Sequence, residues 1–475
     1  MSSNAARGIP WRIPAGPGTL STLGVVLGVA ILMGFLVARS LPAAFALAIT
    51  PVIPAVLESA RGRLLIVVFG GLLVFDSSSG FSGPKVVYAA CLVACVAIAW
   101  QGSIATMRSG RAAEVRRLAG RACGVMTLVV AAALPVALLN GHSPSLWLRD
   151  VAPYIILGVV PILALDAAKK TTARFLAGTL VVAGMLVALS VAVQLISLRG
   201  LSSAALEELA ILTGFLLPVI LFTYACARTI YPRGGGREVL FWSVVAGTIF
   251  AALVISGTRA SLFLLAVPVA MPLVDGGLSG FRRVVVLVMV AAGMLALVFS
   301  IAASAGIATQ EITERFQSAV PAVRAPQENG SLSERFIESR VSWEDWQTAP
   351  VTGVGPGHVF AWTNDTGAFR RSFTVDSSVS TLAKFGLIGT AGLFVCLVII
   401  ARLAYGAGEA RGKAALVGLT VWIAAYVVIG NPFEDKGFAL GLILLLALSL
   451  SESAPFHTRG IANVTPEPAA AAVMR

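Results

Sequence analysis

Arg259 stands where a charged side chain costs free energy unless it has a partner. It lies within Ser256–Ser261, a short run of small residues between two long apolar segments. A guanidinium group so close to hydrocarbon is a functional candidate, because it is tolerated only when it is paired or faces a water-filled cavity. The alternative is that Arg259 snorkels to the lipid headgroups.

Other arginines lie at the ends of apolar runs or within one long polar connection. They are Arg149, Arg335, Arg340, Arg370 and Arg371. Arg149 is followed by Asp150, which is a candidate partner. Arg335 and Arg340 fit equally well on a solvated helix face with glutamate partners. Because guanidinium groups bind phosphate in a bidentate manner, arginines gathered at one membrane face predict a phosphorylated lipid as ligand.

The segment Gly353–Gly357 predicts a turn, and His358 follows it. It is not a Walker loop, because no Lys-Ser or Lys-Thr pair follows the glycines. A single histidine beside a turn is more often structural than catalytic. The sequence has no metal-ligand motif, so we expect chemistry without a protein-bound metal or cofactor.

Composition places these residues in a membrane protein. The chain has 475 residues, of which 57% are hydrophobic and 12% are charged. A soluble protein of this length carries about 25% charged residues. The net charge of +12 is explained by basic cytoplasmic connections, so no nucleic-acid partner is expected.

The apolar runs predict an all-α polytopic integral membrane protein with about fourteen transmembrane helices. Predicted spans lie near 21–38, 41–59, 64–76, 85–101, 123–139, 150–166, 175–197, 206–228, 238–256, 260–275, 284–305, 377–403, 414–430 and 437–451. This gives a cytoplasmic segment 1–20, membrane helices over 21–305, a loop subdomain over 306–376, membrane helices over 377–451 and a disordered cytoplasmic tail over 452–475. Alternate connections are rich in arginine and lysine, which places both termini in the cytoplasm.

The connection 306–376 falls on the opposite, extracytoplasmic side. It contains nine acidic and six basic residues, with aromatic residues interleaved. This mixture predicts a folded cap on the membrane face, and the stretch Ser333–Gln347 predicts a helix. The spans themselves are nearly free of charge.

Four segments resemble, in order, the signature region of the O-antigen ligase and polymerase superfamily. The first is Ser256–Ser261, and the second is Ser333-Glu334-Arg335, which precedes Trp346 and Pro350. The third is Pro350–Gly357. The fourth is Val375–Ser378, which leads into Leu382–Gly389. Together they cover roughly 240–400.

The resemblance implies a GT-C-like fold in the bacterial inner membrane, with a periplasmic loop. It implies a metal-independent inverting glycosyltransferase that moves a glycan from undecaprenyl pyrophosphate to an acceptor glycan, with a chain-length regulator as a further partner. Arg259 and Arg335 would stabilise the leaving pyrophosphate, and Asp376 or His358 would act as base. Substrate binding would fall to Arg149, Arg340, Arg370, Arg371 and Trp346, although the loop aromatics fit core packing equally well.

One departure from the family pattern bears on the reaction. The ligases carry His-Asn where this chain has Val375-Asp376. We therefore expect a polymerase of O-antigen or exopolysaccharide, and an O-antigen ligase acting on lipid A–core is the alternative. A lipid-linked oligosaccharide flippase is a rival of another class. It should carry charges within its spans, which this sequence does not favour.

Overall fold

The fold comes from a computed structural model of the chain. It describes residues 56–74, 83–104, 110–197, 216–255, 263–274, 278–304, 330–364, 367–371, 377–407, 410–427 and 430–452. Packing divides the chain into two units, Met1–Arg63 and Leu64–Arg475. Within the first unit, the Arg63 guanidinium donates to the carbonyls of Leu57 and Glu58 at 2.6 and 2.9 Å.

Helices dominate the described residues, as the apolar runs predict. Their bounds are α1 Ala60–Leu65, α2 Gly71–Val74, α3 Gly83–Ala99, α4 Gly110–Leu139, α5 Pro144–Lys170, α6 Ala173–Ser197, α7 Leu216–Ile230, α8 Gly236–Ile255, α9 Ala266–Ala270, α10 Leu278–Ser304, α11 Gly330–Thr348, α12 Val379–Ala407, α13 Ala410–Tyr426 and α14 Lys436–Ser451. Short π-helical turns follow α1 and α3, and a 3₁₀ turn follows α9.

Seven of the described helices are long and apolar enough to cross a bilayer, and α7 and α14 are shorter apolar helices. The membrane-embedded class is thereby confirmed. The count of fourteen spans and the GT-C-like arrangement stay predictions. The predicted span 21–38, most of 41–59 and the tail after residue 452 lie outside the described residues.

Helices α5 and α14 form the centre of the bundle. Every residue of α14 from Gly437 to Ser451 is buried, and α5 is buried along most of its length. A helix that is apolar on all sides belongs in the interior of a bundle. The outer helices α4, α10 and α12 instead expose apolar side chains such as Leu128, Met289 and Val398, which suits contact with lipid.

The loop subdomain is folded where it is described. Helix α11 packs against the start of α12 and against β1. Strand β1 (Phe360–Asn364) pairs in antiparallel register with β2 (Gly367–Arg371). A small core joins Phe360, Trp362 and Ala383 to Ile337, Val341 and Trp346. This hairpin departs from the predicted all-α fold. It was not predicted because its two strands have only five residues each, which is too short a pattern to identify from the sequence.

The two ends of the bundle carry different polar clusters. At the end away from the loop, Arg228 and Arg411 pair with Glu238 and Glu452. The Arg411 Nη2 to Glu238 Oε1 distance is 3.1 Å. The α7–α8 connection, the start of α13 and the end of α14 therefore meet at one end of the bundle. Which end faces the cytoplasm stays a prediction.

Helix α12 contains a break that receives the glycine turn. Gly386 has φ +62°, in the left-handed region, and a Cβ there would lie 2.4 Å from the backbone nitrogen of Gly353. The amides of Val354 and Leu387 donate to the carbonyls of Ala383 and Pro350 at 2.8 and 3.0 Å. The loop therefore binds the membrane helix through backbone atoms, which requires glycine at the point of contact.

Replacing Gly386 with alanine should destabilise the protein. The added methyl group meets backbone atoms and the positive φ is strained, so we expect a loss of about 2 kcal/mol or more. Thermal unfolding in detergent measures the change. Gly178→Ala is the matched control, because nothing lies within 4 Å of a Cβ at that helical position. Equal melting temperatures for the two variants would contradict the close packing at Gly386.

Candidate functional site

The segment Gly353–Gly357 lies between the break in α12 and the short connection, residues 140–143, that joins α4 to α5. Asn140 Nδ2 donates to the Val354 carbonyl at 2.8 Å. A Cβ at Gly355, which has φ +92°, would lie 2.8 Å from the Cα of Ala137. The glycines thus permit close approach to two membrane helices. This explains the glycine pattern without a phosphate ligand.

Beneath this turn, one lysine is buried between two carboxylates. Lys384 Nζ lies 3.0 Å from Asp150 Oδ2 and 2.9 Å from Glu434 Oε1, and all three side chains have 0% exposure. The expectation that the spans are nearly free of charge is therefore wrong at Lys384. In the sequence it lies inside an apolar run, where Asp150 is more than 200 positions before it and Glu434 is 50 positions after it.

Asp150 connects the buried lysine to the loop. Its Oδ2 also accepts a hydrogen bond from the Gly357 amide at 2.9 Å. Its Oδ1 accepts no hydrogen bond from the described residues, and Arg149 Nε lies 3.9 Å from it. The pairing of Arg149 with Asp150 that the sequence suggested is present. Arg149 therefore adds a second positive charge near Asp150, whose other carboxylate oxygen contacts Lys384.

A network of neutral polar side chains lies beside this ion cluster. Tyr154 Oη and Thr381 Oγ1 lie 3.0 Å apart, and Asn431 Nδ2 donates to Thr381 Oγ1 at 2.8 Å. Ser378 donates to the Gly430 carbonyl. The connection between α13 and α14, which carries Glu434, is therefore tied to the start of α12. Together these contacts join α5, α12 and the α13–α14 connection at the loop end.

Above the network lie two histidines and a carboxylate. His358 Nε2 is 2.9 Å from Asp345 Oδ2, and the rings of His358 and His142 are 5.5 Å apart. The side chains of His358 and Asp345 are 22% and 30% exposed, so solutes reach both. A carboxylate that fixes one nitrogen of an imidazole orients the other for proton transfer.

His142 has a different role from His358. Its Nδ1 lies 3.3 Å from the Pro356 carbonyl, which holds the ring against the glycine turn. Burial lowers the pKa of the His142 imidazole, and the bond to Pro356 opposes this shift. His142 is therefore a neutral neighbour of His358. Neither His142 nor Asp345 was predicted from the sequence, because neither stands in a recognisable motif and only the fold joins them to His358.

The remaining predicted arginines that the structure describes lie on the loop subdomain. Arg340 is 71% exposed and lies 3.8 Å from Glu344 on the next turn of α11, as the solvated-face alternative expects. Such an exposed pair contributes little stability. Arg335 is half-buried on the same helix, and Arg370 is exposed on β2. Of Arg371, the structure describes only the backbone, which pairs with Phe360.

Trp346 packs within the loop subdomain. Its indole nitrogen donates to the Pro350 carbonyl at 3.0 Å, and its ring lies 4.5 Å from that of Trp343. These contacts favour the core-packing alternative over sugar stacking for Trp346. Arg259 and Asp376, two of the predicted catalytic residues, lie outside the described residues, so their placement stays a prediction.

Within the described part of the chain, no cluster of three or more His, Cys, Asp or Glu side chains is arranged to hold a metal ion. The metal-independent reaction stays a prediction. Comparison with protein-family models and with curated proteins finds no match to this chain. The geometry and the resemblance of the four short segments therefore support the proposed function.

Replacing Lys384 with methionine should strongly destabilise the protein, because it leaves two carboxylates buried without their shared cation. Breaking a buried ion pair by removing one partner costs roughly 3–5 kcal/mol. The double variant K384M/E434Q removes one of the two charges and should recover part of that loss. A double-mutant cycle on melting temperature in detergent measures the coupling.

The control for this cycle is Arg340→Met, which breaks an exposed pair. We expect its effect to stay below about 1 kcal/mol. Additive effects of K384M and E434Q would contradict the direct interaction between the two side chains.

Proposed function

We propose that this protein transfers a glycan from undecaprenyl pyrophosphate to a hydroxyl of an acceptor glycan at the extracytoplasmic membrane face. The observation that carries the proposal is the pair of His358 and Asp345, an imidazole oriented by a carboxylate at the open end of a membrane bundle. A sugar hydroxyl is a weak nucleophile, and removal of its proton during attack requires such a base.

The donor needs no further activation, because its glycan is already attached to a pyrophosphate. A lipid pyrophosphate is a good leaving group, and its developing charge is stabilised by guanidinium groups. Two such guanidinium groups are those of Arg149, which directly precedes Asp150 at the start of α5, and of Arg335, which lies on α11 of the loop subdomain. Arg259 joins them by the resemblance of its segment. Direct displacement at the anomeric carbon then inverts its configuration.

Polymerase and ligase are two forms of this reaction. The absence of histidine at Val375-Asp376 favours the polymerase of O-antigen or exopolysaccharide, with Asp376 as base. The His358–Asp345 pair favours the ligase, since it supplies a histidine from another part of the loop subdomain. Transfer to lipid A–core distinguishes them, because only a ligase uses that acceptor.

The flippase alternative gains one argument from the structure. Lys384 and its two carboxylates are buried charges within the bundle, which transporters commonly use. Cells that lack the protein distinguish the two functions. A transferase leaves lipid-linked repeats outside the membrane, where added glycosidases reach them. A flippase leaves them inside, and that result would contradict glycan transfer.

His358→Ala should lower glycan transfer by roughly 10²–10⁴-fold, the usual contribution of a general base. Asp345→Asn should give a smaller loss, because the imidazole remains but loses its carboxylate. Glycan length on gels, normalised to the amount of protein in membranes, measures the effect. The matched control is Glu344→Gln, an exposed neighbour in α11 that does not contact His358. Unshortened glycan from well-expressed H358A would rule out His358 as the base.

Arg259→Ala and Arg335→Ala should also shorten the glycan, since each removes a guanidinium group proposed to stabilise the leaving pyrophosphate. A loss of about 10²-fold is typical for one electrostatic donor. Arg282→Ala is the control, because Arg282 is exposed at the start of α10, at the end of the bundle away from the loop. Full-length polymer from normally expressed R259A and R335A would refute their role.

A further inference from the structure

A basic groove lies between helices α4 and α12. It is lined by Glu114, Arg117, Leu118 and Arg121 of α4 and by Arg402 of α12, and it has a volume of about 190 Å³. The two helices run antiparallel here, since Cys396 Sγ lies 3.7 Å from the Ala122 carbonyl and Gly392 faces Val129. Three guanidinium groups from two helices therefore converge on one space.

These arginines differ from the other basic clusters in their partners. No carboxylate of the described residues lies within ion-pair distance of Arg117, Arg121 or Arg402. Arg228 and Arg411, at the same end of the bundle, are each paired with glutamates. Among the described residues, Glu114 is the one acidic side chain that lines the groove. The groove therefore has an excess of two positive charges.

The groove opens at the membrane face opposite the loop subdomain. The C-terminal end of α4 contacts the glycine turn through Asn140. Arg117 lies 23 positions earlier, and at about 1.5 Å per residue this is roughly 34 Å, close to the thickness of the hydrocarbon core. The groove is thus separate from the proposed transfer site, and nothing in the proposed reaction uses it.

Apolar stripes continue from the groove towards the middle of the membrane. On α4, Leu128 lies two turns beyond Arg121 on the same face and is 70% exposed. On α12, Val398 and Val395 lie one and two turns before Arg402 and are 63% and 48% exposed. A basic groove that adjoins an apolar surface matches the two parts of a phospholipid, its phosphate and its acyl chains.

We propose that this groove binds an anionic glycerophospholipid, with the phosphate between Arg117, Arg121 and Arg402 and the acyl chains along Leu128, Val395 and Val398. Guanidinium groups bind phosphate oxygens in a bidentate manner, and basic pockets between membrane helices hold lipid headgroups. The excess of two positive charges selects a headgroup with net negative charge over one that carries its own ammonium group.

The test uses the purified full chain in detergent, with dioleoyl phosphatidylglycerol and dioleoyl phosphatidylcholine as probes. Native mass spectrometry counts the bound lipid. We expect the full chain to retain phosphatidylglycerol at least about tenfold better than phosphatidylcholine. In R117Q/R121Q, the retention of phosphatidylglycerol should fall at least about tenfold relative to the unchanged protein. The matched control R116Q/R174Q removes the same charge from the same end of the bundle, but neither residue lines the groove.

Three results would overturn the proposal. The first is equal retention of the two lipids. The second is equal loss of phosphatidylglycerol in R117Q/R121Q and R116Q/R174Q, which would indicate attraction by net charge alone. The third is complete displacement of phosphatidylglycerol by inorganic phosphate, which would identify a site for free phosphate. Circular dichroism and melting temperature confirm that the variants remain folded.

Discussion

The loop end of this protein depends on the burial of one lysine between two carboxylates. Removing Lys384, Asp150 and Glu434 from water costs several kcal/mol per charge, and only mutual attraction and good geometry offset it. The geometry is good: two Nζ to carboxylate distances near 3 Å, with the Gly357 amide on the same oxygen of Asp150. The ion cluster therefore joins α5, α12, the α13–α14 connection and the loop subdomain into one unit.

This unit gives the proposed chemistry a fixed frame. The glycine turn carries His358 at its end, and the turn is held by backbone hydrogen bonds to α12 and by Asn140 and Asp150. Asp345 reaches His358 from α11, whose position is set by the core around Phe360 and Trp362. Catalysis by a positioned base requires such rigidity. A site on an unsupported loop would lose the orientation on which proton transfer depends.

Periodicity and charge made the membrane helices predictable, but long-range pairing could not be read from the sequence. The predicted start of the twelfth span at residue 377 and the helix over Ser333–Gln347 match α12 and α11 within a few residues, because apolar runs and helix caps are local signals. The ion pairs of Lys384 could not be predicted, because it lies in an apolar run and its partners Asp150 and Glu434 are distant in sequence. The same holds for His142 and Asp345, which only the fold brings to His358. The two strands of the β-hairpin were too short to be predicted from their sequence pattern.

The two ends of the bundle carry different polar clusters, and we propose glycan transfer only at the loop end. The most direct test incubates the purified protein with undecaprenyl-pyrophosphate-linked repeat units, alone and with lipid A–core as acceptor. We predict release of undecaprenyl pyrophosphate together with a longer or transferred glycan of inverted anomeric configuration. Intact donor after prolonged incubation with folded protein, under both conditions, would contradict it.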